Sequence, residues 1–462
     1  VSTFGAALLI VFLFVRPQEC YPPLEAFKLL YIAIGFGFLG IAIDFGTGKL
    51  KLGSPQWPIM IAYVVWNVLC TLVKVGGGPV ADMQVTMFFP VIYFAMVMYA
   101  GRTFERYRTL AVVMLAVSVT IAGFGIYQGK SDFQCIKISE GTDRSEAHDK
   151  SKGEPDGREC VESLQCREGV DLKDDYECER PGLFGTFSVA NGRARWRGTL
   201  SDPNELSLFC GVGLTFAFAL YQVLVSRFWK NVITGGSVLT VIYCTILTGS
   251  RGGILVLLAV FGVYFVRKYG LKGVVIAGVC GSPVLLLGGR SGEDAEASSL
   301  ERLGALYDGC DFFKASPIFG LGHNQFIENY FITAHNSYLL SASELGLPGI
   351  ILWFAVLWSS VKIPWTVAFR PPWGMDPRLY PFSIALVTSF AGILVGIFFL
   401  SFTYHPMMFV YYGFCGAYYG AVKRSAPHFE VKMTGQDWKW VSVAATAAIS
   451  VIFVYTRIKG QP

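Results

Sequence analysis

Long apolar runs alternate with polar connectors over almost the whole chain. They fall at 1–15, 26–43, 57–73, 85–100, 109–127, 205–225, 231–248, 253–266, 272–288, 337–361, 381–403, 406–422 and 438–456. A helix needs about 20 mostly apolar residues to cross a bilayer. The pattern therefore predicts an all-α polytopic membrane protein with twelve or thirteen transmembrane helices. Two connectors are long, 128–204 and 289–336. The opening stretch, VSTFGAALLIVFLFV, has no basic residues before it and Arg16-Pro17 after it, so it reads as a first span whose start is missing, and not as a signal peptide. No repeat of solenoid length is visible.

Composition agrees with this reading. Hydrophobic residues make up 53% and charged residues 15%, against about 25% charged in soluble domains. The net charge of +5 is spread over the connectors. It bears on membrane topology and gives no reason to expect a nucleic-acid partner. Lys49 and Lys51, then Arg102, Arg106 and Arg108, then Arg227 and Lys230, share one side if the spans are counted as above. Arg267, Lys268 and Lys272, then Lys362, Arg370 and Arg378, then Lys423 and Arg424, continue the series. That side is expected to be cytoplasmic, which puts both long connectors outside. Arg457 and Lys459 break the pattern if 438–456 crosses, so that run reads either as a thirteenth span or as a helix along the interface.

Five parts follow: N-terminal spans at 1–128, an acidic cysteine-bearing insertion at 129–181, spans with arginine-bearing connectors at 182–288, a second outer connector at 289–336, and C-terminal spans at 337–462. The insertion holds fifteen acidic against nine basic residues and little apolar material for a core. Of eleven cysteines, Cys70, Cys210, Cys244, Cys280 and Cys415 lie within apolar runs. The other six (Cys20, Cys135, Cys160, Cys166, Cys178 and Cys310) lie in connectors assigned to the outer side. An even set confined to one side predicts disulfides of open connectivity. A zinc site near His148 is the weaker alternative, since no paired ligand spacing accompanies it.

The outer side also gathers the candidate chemistry. Arg193 and Arg195 precede the run RGTLSDPNELSLF, which Arg197 opens, and Arg251 sits in TGSRGG between two spans. Arg302 lies in the second long connector, His335 opens the run HNSYLLSASELGLPG, and His405 sits in TYHP. Guanidinium groups offer planar paired donors to phosphate oxygens, so convergence of these arginines would suit a diphosphate. Arg193 and Arg195 equally suit interfacial anchors. His335 precedes Asn336 or Ser337, either of which can cap the next helix. The positive end of a helix dipole disfavours imidazolium, and a neutral imidazole is what a general base needs. Asn204, Asn336, Arg195, Arg302 and His405 complete the expected substrate-binding set; His323 and His405 also suit structural roles. Segment 298–315 reads as a surface helix capped by Ser298 and Glu301, with Leu303, Leu306, Tyr307, Cys310 and Phe313 on one face, to rest on lipid or on the bundle. No GxxxxGK[ST] loop or HExxH helix occurs. The reaction is expected to need neither metal nor cofactor.

Three stretches resemble the O-antigen ligase and O-antigen polymerase superfamily of bacterial membrane glycosyltransferases, in that family's order. They are RGTLSDPNELSLF at 197–209, TGSRGGILVLL at 248–258, and ERLGALYDGCDFFKASPIFGLGHNQF at 301–326 followed by AHNSYLLSASELGLPG at 334–349. The likeness is good over 180–420 and extends to the N-terminal spans by hydropathy only. It implies a GT-C-like fold in the bacterial inner membrane and an active site facing the periplasm. It also implies a glycan donor on undecaprenyl diphosphate and a lipid A–core or glycan acceptor. Carried over, His335 is the base, and Arg251 and Arg197 bind the diphosphate. The insertion at 129–181 departs from the common pattern, and the run of arginines leaves open whether Arg195 or Arg197 is the match. A transporter for the same lipid-linked glycan is the alternative from another class; it should carry ionisable groups or broken helices near mid-membrane.

Overall fold

The computed structural model describes residues 1–48, 53–138, 153–167, 176–275 and 293–460. The expected apolar run at 272–288 lies largely outside them. Most of the described chain is helical. The longer helices are α1 (Ser2–Phe14), α2 (Leu29–Gly46), α3 (Trp57–Lys74), α4 (Phe89–Ala100), α5 (Phe104–Lys130), α6 (Pro203–Gly213), α7 (Thr215–Val223) and α8 (Arg227–Leu247). They continue with α9 (Arg251–Tyr269), α10 (Glu293–Ala315), α11 (Ser337–Phe369), α12 (Tyr380–Gly396), α13 (Pro406–Ser425) and α14 (Gly435–Lys459). Among the described residues, ten helical stretches are long and apolar enough to cross a membrane. The chain is a multi-pass, all-α membrane protein.

Burial separates these helices. The stretch Pro203–Val223 is 83% buried over its most apolar window, whereas Arg227–Leu247 is 22% buried. The first lies inside the bundle and the second faces lipid. α6 and α7, with α12 and α13, form the centre, where Phe209, Phe216, Phe390, Tyr411, Phe414 and Tyr418 interlock. Among residues this apolar, association rests on close packing and hydrogen bonds rather than on water exclusion. Two buried contacts show it: Thr215 and Ser389 hydroxyls lie 2.6 Å apart between α7 and α12, and Gln56 Nε2 donates to Ser360 Oγ and Tyr412 O at 2.7 and 2.9 Å.

The last helix settles one open question. Near its start Asp437 pairs with Lys362 at 2.5 Å, far along α11 from His335. Near its end Val451, Ile452 and Tyr455 stand beside His335. α14 thus runs the length of the span antiparallel to α11, and it does not lie along the interface. Arg457 and Lys459 end on the His335 side, against the charge rule. Twenty-five residues rise about 37 Å, enough to cross with its charged ends at the surface.

The insertion folds around a three-stranded antiparallel sheet of β1 (Gln134–Ile138), β2 (Gly153–Glu159) and β3 (Tyr176–Glu179), with β1 central. Cys135–Cys166 and Cys160–Cys178 bridge it, supplying the constraint that its small core lacks. The sulfurs of Cys135, Cys160 and Cys166 lie within 4.8 Å of one another because the two bridges are adjacent, so the described part of the insertion offers zinc no free thiolate; His148 lies outside the described residues. The expectation of six paired outer cysteines needs correction: Cys20 and Cys310 are free thiols. Cys310 is buried in an apolar seam with Leu339 and Ile452, where it behaves as a small hydrophobe.

The surface helix also differs from expectation. α10 begins at Glu293, so Ser298 is inside it and caps nothing. Its apolar face takes one of the two expected seats, the bundle, through Leu306 and Cys310 against Leu339, Tyr338 and Ile452.

Candidate active site

Three sequence motifs are tied together at one end of the bundle. Asp202 starts α6 with a reciprocal capping box shared with Glu205. That start presents Asn204, whose Oδ1 accepts from Ser250 Oγ at 2.6 Å. Ser250 Oγ in turn accepts from Gly253 N–H at 2.9 Å and caps α9. Gly253 is needed for closeness: a Cβ there would lie 2.3 Å from Ser207 Oγ. The result fixes Arg251 as the first residue of α9, where its side chain is exposed.

The third motif enters through α11. Asn336 Oδ1 accepts from Leu339 N–H at 2.9 Å and caps this helix, while its Nδ2 donates to Phe398 O at 3.0 Å. Ser337 Oγ donates to Leu400 O at 2.6 Å and accepts from Phe402 N–H at 2.7 Å. These bonds lock the helix start to the turn after α12. His335, one residue earlier, takes a left-handed backbone with φ +45°. That region is uncommon outside glycine, with Asn, Asp and His the best tolerated of the rest.

A cavity of about 520 Å³ opens between these parts. Arg193, Asn204, Arg251, Arg302, His335 and Asn336 supply its polar wall. α10 brings Arg302, and Leu255, Leu306, Phe398, Ile452 and Tyr455 make the apolar wall. The His335 imidazole is lowered from its ordinary value to about 4, first by burial and next by the Arg302 guanidinium, with the Asp202 carboxylate opposing. Burial and the Arg302 guanidinium thus act in the same direction as the helix dipole considered from sequence, each disfavouring imidazolium at His335.

Arg193, read from sequence as equally an anchor, lines the cavity, with Nε donating to Thr248 O at 2.8 Å. Arg195 and Arg197 do not line it. Arg195 is 6% exposed and donates from Nε to Phe187 O at 2.9 Å. Arg197 is wholly buried; its Nη2 donates to Phe184 O and its guanidinium lies 5.3 Å from the Trp196 ring centre. Both hold the connector 184–200 together.

His405 lies outside the cavity as well. Its Nδ1 accepts from Met407 N–H at 3.2 Å, so Nε2 carries the proton and donates to Thr199 O at 2.8 Å. Burial lowers it to about 4, and it caps α13 as a neutral ring with both nitrogens engaged. His323 is similar: Nδ1 donates to Asn67 Oδ1 at 3.1 Å and Nε2 accepts from Thr86 Oγ1 at 2.7 Å, with burial lowering it to about 3.

Sequence reasoning missed Glu344. It is buried in α11, and its carboxylate accepts from Asn324 N–H at 3.0 Å and Phe326 N–H at 2.9 Å. The connector that leads to His335 is strapped to α11 at this point. Gly346 kinks the helix there with φ +67°, and a Cβ on it would lie 2.1 Å from Ile318 O. The available signal was an acid within an apolar run, costly unless engaged. Glu344→Ala leaves the buried Phe326 N–H without an acceptor, worth about 1–3 kcal/mol, and frees the part-buried Asn324 N–H as well. It should lower the thermal unfolding midpoint of the purified protein sharply, with Glu344→Gln intermediate; an unchanged midpoint would mean that the strap carries no load.

Residues 236–354 match the O-antigen ligase family model, a stretch that takes in Arg251, Arg302, His335 and Glu344. The chain is also similar to an exopolysaccharide production protein, ExoQ, of Rhizobium meliloti (strain 1021). The two are 25% identical over 213 residues, 38% of this chain and 48% of that protein. The chain thus spans about half the length of this curated relative.

Proposed function

With the family match and the relative both supporting the O-antigen ligase and polymerase superfamily, we propose that the chain is a membrane glycosyltransferase. In this reading it moves a glycan from undecaprenyl diphosphate to an acceptor hydroxyl. The observation that carries this reading is the shared cavity: His335, Arg251 and Arg302 come from three separate segments and line one space at one membrane end. His335 takes the acceptor hydroxyl proton as that oxygen attacks the anomeric carbon. The bond from this carbon to the diphosphate oxygen breaks, and the diphosphate lipid leaves with the electron pair. Attack opposite the leaving group inverts the anomeric configuration. Arg251, Arg302 and Arg193 stabilise the charge that grows on the diphosphate, and the fixed cations of a partly dry site are worth most there. The apolar wall of Leu255, Ile452 and Tyr455 suits the start of a lipid chain. No step requires a metal ion or cofactor. The cavity end faces the periplasm of a bacterial inner membrane, by the charge of the opposite connectors and by the disulfides on the cavity side.

Two acceptors fit. The family description, O-antigen ligase, supports a ligase, for which lipid A–core is the acceptor we propose. The relative is named for exopolysaccharide production; a polymerase, which extends another lipid-linked glycan, is the second reading. Purified protein given a lipid-linked oligosaccharide, with and without lipid A–core, separates them. Product on lipid A–core means ligase, and a ladder formed without it means polymerase. Movement of intact donor across vesicles with no product would instead mean transport and overturn the proposal.

The pH dependence provides a separate check. A base works deprotonated, and His335 is lowered to about 4. Turnover should therefore hold through neutral pH and fall only as pH drops through about 4. Arg302→Gln removes one of the lowering influences and should move this acid limb upward, whatever it does to the maximum rate. A limb near 6.5, the ordinary histidine value, unmoved by Arg302→Gln, would contradict the assignment.

A further inference from the structure

A second cavity, of about 950 Å³, lies at the end of the bundle opposite His335. Arg102, Lys423, Arg424 and Lys432 line it, with Glu430 as the acidic counterpart. The cations come from different elements. Arg102 stands in the turn before α5, Lys423 and Arg424 are in the last turn of α13, and Lys432 follows in the connector to α14. Basic residues at a helix C-terminus ordinarily complement its dipole. That accounts for Lys423 and Arg424 but not for the other two, nor for the space between them. Glu430 lies 2.7 Å from Lys432 and 4.0 Å from Lys423, so among the described residues that line the cavity one carboxylate is set against four cations. Ile59, Val431 and Met433 form an apolar flank. Trp438 borders the cavity at 36% exposure, and Trp440 beside it is 65% exposed. Tryptophans in such a place sit at headgroup level in a bilayer.

A cationic wall, an apolar flank and a tryptophan rim at one membrane surface match an amphipathic anion. From this we infer a binding site for an anionic glycerophospholipid. Its phosphodiester sits among Arg102, Lys423 and Arg424, and its acyl chains run along Ile59, Val431 and Met433. Basic pockets between membrane helices bind anionic headgroups in this manner. The soluble source of the same chemistry, a free phosphate, would use the cations but gain nothing from the apolar flank or the tryptophans. The inference is independent of the glycosyl-transfer reading, because no residue is shared between the two cavities.

The full chain is reconstituted in nanodiscs of phosphatidylcholine with phosphatidylglycerol, and the lipid retained on extraction is counted by native mass spectrometry. The wild type should retain phosphatidylglycerol over phosphatidylcholine. The variant Arg102→Gln/Lys423→Gln/Arg424→Gln should lower that retention by at least about tenfold. Glu430→Gln removes the opposing charge and should raise retention by about fivefold, a gain that a misfolded variant would not produce. Arg227→Gln/Lys230→Gln, at the same membrane end but outside the cavity, should match the wild type. No preference for phosphatidylglycerol, retention unchanged in the triple variant, or displacement of the lipid by inorganic phosphate would each overturn the assignment.

Discussion

Arg251→Gln should lower turnover by about a hundred- to a thousandfold, the range seen when one fixed donor to a developing charge is removed. Arg251 is the first residue of α9, and its position is set by the Ser250 cap and the Ser250–Asn204 hydrogen bond. It stands at the positive end of the helix dipole, so backbone and side chain favour the same anion. Glutamine keeps the helix start and removes the charge and the planar fork. Lysine restores the charge but not the fork and should recover only part of the rate. Arg302 and Arg193 remain in the cavity, so donor binding should weaken without vanishing. The check is kcat and KM for a lipid-linked donor, compared for the three proteins. Equal values for Arg251→Gln and wild type would remove the diphosphate clamp from the account.

His335→Asn should be the more damaging change in the chemical step, costing about a hundred- to ten-thousandfold. Asparagine is chosen because the backbone at 335 is left-handed, a conformation that asparagine tolerates well and alanine does not. The substitution therefore removes the base while leaving the fold and the Asn336 cap in place. The diphosphate is held by the arginines, so donor affinity should change little.

Much of this arrangement could be read from sequence because it depends on local patterns. Apolar runs mark helices, basic connectors mark one membrane side, and Asn336 announces the helix start that places His335. The rest depends on contacts between distant segments. Arg193, Arg195 and Arg197 alternate along one connector, and the resemblance points to Arg197 or Arg195 rather than Arg193. The pairing of Val189 with Arg193 turns the connector so that Arg193 meets the cavity, while Arg195 and Arg197 are buried against Phe187 and Trp196. Cys310 belongs by sequence to the outer set of cysteines, but α10 seats it on Leu339 and Ile452, where it stays a free thiol. The terminal charges of α14 leave its course open in sequence, yet its end forms a wall of the cavity. The role of Glu344 has no local signature, because its partners are backbone N–H groups 20 and 18 residues away.

The most direct test of the central claim is donor cleavage by the purified protein in vesicles. A lipid-linked oligosaccharide and an acceptor are supplied with a metal chelator present, for wild type and His335→Asn side by side. The expected result is wild-type release of one diphosphate lipid for each glycan joined to acceptor, unaffected by the chelator. His335→Asn should bind the donor but cleave it at least about a hundredfold more slowly. Wild-type-like cleavage by His335→Asn would contradict the account.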